Sequence, residues 1–348
     1  MVESVSILMP VFNAEKYIAS AIDSILQQTF ANWELLVIDD GSNDNTLSVI
    51  KTYLSDNRIR IFKSSFNRGL SYSRKLAIEH ASGDYIFFMD ADDIAMPKRI
   101  EMQLAAFRND STVVVCGTQA SVIDVEGRCV GEMLKPRVSA EIKANIFFGY
   151  PFVTPSLAFR SNELKRVSVA IKDEVFEMAD DYILVSQLMD DGAFLNLKEK
   201  LLLYRIHNST ERITSDANSV HIVNGRMIAW RHLLGLLQLP APEIAVLHLH
   251  DKLSYYRDRL TTDDLCAAGA YVKLLRQIKE QNRIISIFDQ DFLASEISSR
   301  VYSLLIHGKL SPQDAGQLYV AYSDLLLLPA LMKVPVKRFR RWLLRIPN

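Results

Sequence analysis

Three carboxylates close the run Asp84-Tyr-Ile-Phe-Phe-Met-Asp90-Ala-Asp92-Asp93. Oxygen ligands of this kind, shared with a substrate's phosphates, are what Mg²⁺ or Mn²⁺ prefers. Tyr85, Ile86, Phe87 and Phe88 are aromatic or β-branched and favour a strand. Ile94 to Pro97 then lead into an amphipathic helix, with Pro97 suited to its first turn. The acids therefore fall at a strand's C-terminal end, the edge of an open α/β sheet where ligands bind. An acidic, solvated turn has the same local sequence, so the flanking elements must decide.

Those elements alternate. Val5, Ile7 and Met9 form a short strand up to Pro10, and Asn13 is placed to cap a helix carrying Ile18, Ala21, Ile22, Ile25 and Leu26 on one face. Glu34 to Ile38 is a second strand that runs into Asp39-Asp40-Gly41-Ser42. There a carboxylate can accept a hydrogen bond from a base edge, or the residues simply make a turn and helix cap. A helix faced by Leu47, Ile50 and Leu54, a strand over 59–62 and a helix over about 71–81 complete a β-α-β-α-β-α-β order, a parallel, nucleotide-binding layout. Farther on, Asp180 and Asp181 stand at the entry of a helix bearing Ile183, Leu184, Leu188 and Met189, where either can act as a cap. Arg205 and His207 alternate on an extended segment after Leu201-Leu-Leu203 and so share one face, a cation and an imidazole suited to a diphosphate.

Taken together, Met9-Pro-Val-Phe-Asn13, Ser24 to Phe30, Glu34 to Thr46, Asn67-Arg-Gly-Leu70 with Arg74, Asp90-Ala-Asp92-Asp93, Ala179-Asp-Asp-Tyr182 and Tyr204 to Ser209 resemble the motifs of family 2 glycosyltransferases. The resemblance covers about residues 4–212. It implies an α/β, GT-A nucleotide-sugar-binding (Rossmann-like) fold with a layered mixed sheet. It also implies an inverting enzyme that takes a nucleotide sugar, most simply a UDP-sugar, and acts on a glycan or lipid-linked saccharide acceptor in cell-surface polysaccharide synthesis. On that reading Asp92 and His207 lie on the metal side, with Mn²⁺ or Mg²⁺ as cofactor. Asp39 receives uracil between Pro10 and Phe12, Asp90 receives the ribose, and Arg74 and Arg205 serve the donor's charge. Asp181 is the base, with Asp180 and Thr154 on the acceptor side. Relatives usually carry Glu where this chain has Asp180, and often His where it has Thr154. For Asp93 the resemblance leaves a ligand role and a helix-cap role open.

Composition is consistent with an enzyme of this kind. The chain has 348 residues and a net charge of −1, which carries no global nucleic-acid signature. Its three cysteines have neither metal-ligand nor redox spacing, as expected in a reduced cytoplasm. The stretch Val2–Met9 has strand length and contains Glu3, unlike a secretory signal, and no run approaches the ~18–20 apolar residues of a membrane span. The expected division is a catalytic domain over 1–212 and a helical appendage over 213–348, with helices near 219–237, 243–260, 262–281 and 291–307. Lys333 to Asn348 holds six basic residues and no acid, interleaved with Phe339, Trp342, Leu343, Leu344 and Ile346. Such a segment either lies on the inner face of the cell membrane as a peripheral anchor, or docks on the protein or on a second copy in a homodimer.

Two other readings are weaker. A sugar-phosphate nucleotidyltransferase wants a glycine-rich basic loop that Met9 to Lys16 lacks. A non-catalytic nucleotide-sugar-binding assembly protein has no need of Asp92 and Asp181.

Overall fold

Four parallel strands open the chain: β1 (Val5–Val11), β2 (Trp33–Asp39), β3 (Ile59–Lys63) and β4 (Tyr85–Phe88). They alternate with α1 (Ile18–Leu26), α2 (Thr46–Lys51) and α3 (Leu70–His80). The structure is a computed structural model that describes residues 3–170, 180–207, 220–253, 262–307 and Leu325. Then come β5 (Ile94–Ala95), α4 (Arg99–Asn109), β6 (Val113–Ile123), β7 (Cys129–Met133) and α5 (Ser139–Ile146). A 3-10 turn over Thr154–Ser156 precedes β8 (Ala158–Arg160), α6 (Ser161–Ala170), α7 (Asp180–Gln187) and β9 (Ala193–Arg205).

The nine strands form one mixed sheet in the order β3-β2-β1-β4-β8-β6-β9-β5, with β7 paired to β6. β8 runs antiparallel between β4 and β6, whereas β9 returns parallel to β6. Strands covered on both faces read as continuous apolar runs, and β1 is buried at every position. Pro10 fits inside this strand for a local reason. Leu8 accepts the N–H of Met89 on the β4 side, and β4 stops pairing with β1 there, so the missing donor of Pro10 breaks no ladder bond. The core between sheet and helices is built from Ile7, Met9, Ile22, Leu35, Val37, Phe87, Ile100 and Leu104.

The expected strands and helices of the first half are present, with local differences. Asn13 does not cap α1. It adopts a left-handed φ of 50°, which Asn tolerates, and its side chain accepts the N–H of Asn43 at 2.9 Å. Leu54 lies beyond the end of α2 and is exposed, so it does not extend that helix face. The helix after the acid cluster begins at Arg99, and its N-cap Lys98 makes no side-chain cap bond.

Two compact units divide the chain. The first comprises Met1–Ser139 and Pro151–Gly225, and the second Ala140–Tyr150 and Arg226–Asn348. In place of a single cut near 212, the short segment 140–150 belongs with the later helices. These are α8 (Val220–Leu236), α9 (Ile244–Asp251), α10 (Thr262–Ile285) and α11 (Gln290–His307). Within the second unit Phe147 packs edge-on against Trp230 and Phe288, and His250 stacks on Trp230 at 3.8 Å. Burial there holds the His250 pKa well below the usual histidine range, so the ring is neutral and accommodated as an aromatic. The basic stretch 333–348 lies outside the described residues, as do Asn208 to Ser219. Among the described residues no helix is long and apolar enough to cross a membrane.

Candidate active site

The candidate residues gather in the first unit, at the C-terminal edge of its parallel strands. β2 ends on Asp39, which pairs in register with Val11 and so stands beside Pro10 and Phe12. Asp39 is fully buried. One of its oxygens accepts the N–H of Ser42 at 3.1 Å, while Oδ2 has no hydrogen-bond partner among the described residues. A buried carboxylate oxygen left in this state is ready to accept a bond from a ligand. Asp40 does different work: it accepts the N–H groups of Arg68 and Gly69 at 2.9 and 2.7 Å and ties down the loop before α3. Gly41 permits the turn between them, with φ +76°, and a Cβ there would come within 2.8 Å of the Phe66 backbone.

After β4, the carboxylates of Asp90, Asp92 and Asp93 offer oxygens that all lie within 4.8 Å of one another. The His207 Nε2 meets Asp92 Oδ2 at 2.6 Å. Asp93 does not cap a helix: it is buried, accepts the backbone N–H of Arg205 at 2.8 Å, and its other oxygen has no partner among the described residues. Burial and the neighbouring Asp92 and Asp90 push its pKa well above the usual carboxylate range. Close carboxylates with an orphaned buried oxygen and an adjacent imidazole suit a hard divalent cation, which would relieve their repulsion. The donor set therefore fits Mg²⁺ or Mn²⁺.

Arg205 is held rather than free. Its Nε donates to the Asp92 carbonyl at 2.8 Å and its Nη1 to the Asp124 carbonyl at 2.9 Å. Its guanidinium lies 4.6 Å from the Tyr17 ring centre, and the same ring meets His207 edge-on at 5.5 Å. Tyr17, at the entry to α1, thus braces both residues. Sequence reasoning passed over it, because an aromatic before an amphipathic helix has no distinctive spacing.

On the opposite side Asp180 and Asp181 open α7. Arg74 is not a solvated helix residue: its side chain is 2% exposed and donates to Asp180 at 2.6 Å, with Asp90 at 3.8 Å. Burial opposes its charge, but Asp180, Asp90 and Asp181 outweigh that and hold the guanidinium's pKa above its ordinary value. Asp180 also accepts the Ser71 hydroxyl at 3.0 Å, so both its oxygens are engaged within the protein. For Asp90, burial, Asp92, Asp181 and Asp180 act against Arg74 and bring its pKa up to about 6. Burial and Asp180 likewise raise Asp181, against Arg74, the Thr154 hydroxyl and the Tyr182 N–H. Arg68, in the loop before α3, is exposed and lies over the Tyr72 ring at 3.4 Å.

Carboxylates at the ends of β2 and β4, with Asp180 and Asp181 at the separate entry of α7, make up the candidate site, and comparison with known proteins shows the class to which the chain belongs. The Glycosyl transferase family 2 profile matches residues 6–166. An uncharacterized glycosyltransferase of Methanocaldococcus jannaschii is 34% identical over 209 residues, which cover 59% of this chain and 71% of that protein. The chain belongs to the family 2 glycosyltransferases. The Escherichia coli UDP-Glc:alpha-D-GlcNAc-diphosphoundecaprenol beta-1,3-glucosyltransferase WfgD is 38% identical over 133 residues, covering 38% of this chain. The match spans about half (51%) of WfgD's length. In fold the chain resembles S. aureus TarS 1-349, crystallised with UDP-GlcNAc, with a TM-score of 0.56, 17% identity and coverage of 93% of each chain. That likeness shows a GT-A fold.

Proposed function

We propose that this glycosyltransferase is inverting and metal-dependent, and moves a sugar from a UDP-sugar to a saccharide or lipid-linked saccharide acceptor. The observation that carries the reading is the Asp90···Arg74···Asp180 bridge, which holds acids far apart in sequence beside one another, at 3.8 and 2.6 Å from a single guanidinium. It ties the donor-side acid Asp90 to the helix entry that carries Asp181.

The orphaned oxygen of Asp39 accepts the ring N–H of uracil, with Pro10 and Phe12 beside it. Asp90 accepts from the ribose. Asp92 and His207 would hold a divalent cation, whose positive charge would offset that of the diphosphate. Arg205 fixes the Asp92 backbone and the turn at Asp124, so its part is to position. The acceptor hydroxyl attacks the anomeric carbon from the face opposite the diphosphate. A bond from acceptor oxygen to that carbon forms, the bond from carbon to phosphate oxygen breaks, and Asp181 takes the hydroxyl proton. UDP leaves carrying the electron pair, and no covalent sugar-enzyme species is needed. The uridine-containing ligand of TarS and the diphosphoundecaprenol-linked acceptor in WfgD's name support the choice of donor and acceptor class. The basic amphipathic stretch after Lys333 suits attachment to an anionic membrane carrying such an acceptor.

The test is a panel of UDP-glucose, UDP-galactose, UDP-GlcNAc and UDP-GalNAc, scored for thermal stabilisation and UDP release with Mn²⁺, with Mg²⁺ and with chelator. Stabilisation by at least one UDP-sugar, dependent on metal, is expected. Asp92→Asn should abolish transfer and the metal-dependent part of UDP binding. Asp181→Asn should lower turnover by roughly a hundredfold or more while leaving donor binding nearly intact. Equal stabilisation with and without metal, or near-normal turnover in either variant, sinks the corresponding assignment.

A further inference from the structure

We infer that Thr154 is a positioning residue for the base: its hydroxyl donates to Asp181 Oδ2 and fixes the plane in which that carboxylate meets the acceptor. The inference rests on the reading of Asp181 as proton acceptor, and it replaces an acceptor contact by Thr154 with a bond inside the protein.

The Thr154 Oγ1 donates to Asp181 Oδ2 at 2.5 Å, a short, charge-assisted hydrogen bond. Asp181 Oδ1 is occupied by its neighbour's N–H, from Tyr182 at 2.8 Å. Each carboxylate oxygen has capacity for a second hydrogen bond, so this pair of donors fixes the plane of the group and leaves lone pairs for an incoming hydroxyl. Among the described residues the other charges that act on or with Asp181 are Asp180, Arg74 and Asp90, and of these only Arg74 favours its ionised form. Thr154 is thus a neutral donor set against a surplus of acid.

The turn that carries Thr154 is itself anchored. The Phe88 N–H, at the end of β4, donates to the Leu157 carbonyl at 2.9 Å, and Leu157 N–H donates back to Thr154 at 3.1 Å. The Ser156 hydroxyl accepts the Thr118 N–H at 3.0 Å, Gln103 donates to the Ser156 carbonyl at 2.9 Å, and Asn196 donates to the Pro151 carbonyl at 2.9 Å. Through this turn the base is registered to the strand that carries the metal-side acids, not to its own helix alone. An error of about 1 Å in such a group can cost on the order of a hundredfold in rate.

The experiment compares Thr154→Val, which keeps shape and removes the donor, with Thr154→Ser, which keeps the donor, and with Asp181→Asn. Protein labelled with [¹³Cγ]aspartate is titrated by NMR, and the resonance lost in Asp181→Asn identifies Asp181. Steady-state UDP release is measured with the most active UDP-sugar of the panel above. In Thr154→Val the Asp181 midpoint should rise by about one pH unit or more, since the bond lost favours the ionised form. Its kcat should fall roughly 10- to 100-fold with KM for the donor within about twofold. Thr154→Ser should restore both to near wild type. An unmoved midpoint in Thr154→Val, or a serine variant as impaired as the valine one, overturns the inference. If Asp181→Asn keeps full turnover while the midpoint still moves in Thr154→Val, the bond stands and the base assignment is what fails.

Discussion

Arg74 offers the sharpest test of how the two halves of the site are held together. Its side chain is 2% exposed and that of its partner Asp180 is 5% exposed, so the exposed-pair scale of under about 1 kcal/mol does not apply. Removing one partner of a buried pair costs about 3–5 kcal/mol, because the other charge stays behind without compensation. Arg74→Met keeps an apolar stem of similar length and removes the guanidinium, with its charge, its N–H donors and its cation–π contact to the Phe88 ring at 4.8 Å. Among the described residues, Asp180 would then keep the Ser71 hydroxyl, at 3.0 Å, as its hydrogen-bond donor. A loss of about 3–5 kcal/mol in urea unfolding is expected, or roughly 10 °C in Tm at about 2–4 °C per kcal/mol for a unit of this size. The double variant Arg74→Met/Asp180→Asn should recover part of it, giving a coupling energy of about 2 kcal/mol or more. Arg74 also lowers the pKa of Asp181. Since the base works unprotonated, activity falls as pH drops through that pKa, and the acid limb of the variant should move to higher pH. A variant within about 1 kcal/mol of wild type, with coupling below about 0.5 kcal/mol, would show that the bridge does not organise the site.

Two further outcomes follow from the same description. Gly41→Ala places a Cβ against the Phe66 backbone in a left-handed conformation, so a stability loss of about 2 kcal/mol or more and weakened UDP binding are expected, measured by melting and calorimetry. Deletion of residues 333–348 removes six basic side chains, each worth about 1 kcal/mol near an anionic surface. Sedimentation with phosphatidylserine vesicles should fall sharply on that deletion and with added salt, and unchanged co-sedimentation argues against a membrane role.

Much of the donor side was legible because it is local. Strand-forming runs that end abruptly in Asp39 and Asp90 identify themselves by residue type and alternation, and β1 to β4 lie where those patterns put them. The acceptor side was less so. Arg74 reads as an ordinary helix cation, and only the approach of α7 to α3 makes it a buried bridge. The bond between Thr154 and Asp181 joins residues 27 apart that no periodicity links. Asn13 has a capping side chain, yet it serves the neighbouring loop through Asn43, a choice set by the left-handed turn at that position. The order of β8, β6 and β9 depends on long connections that mix parallel and antiparallel pairing, which local pattern does not encode.

The segment 140–150 bears on how this enzyme can be dissected. Phe147 and Phe148 sit midway along the catalytic stretch of sequence, yet both rings are fully buried, and Phe147 has Trp230, His250 and Phe288 around it. A chain ended after the last catalytic motif would retain both phenylalanines and lose all three of those neighbours. Two aromatic side chains of roughly 150–250 Å² each would then face water, a sticky patch in a fragment that still contained every residue of the site. The helical region is therefore no detachable module: residues 140–150 belong to it yet lie inside the transferase sequence, so the helices could be exchanged here only by changing that internal segment with them.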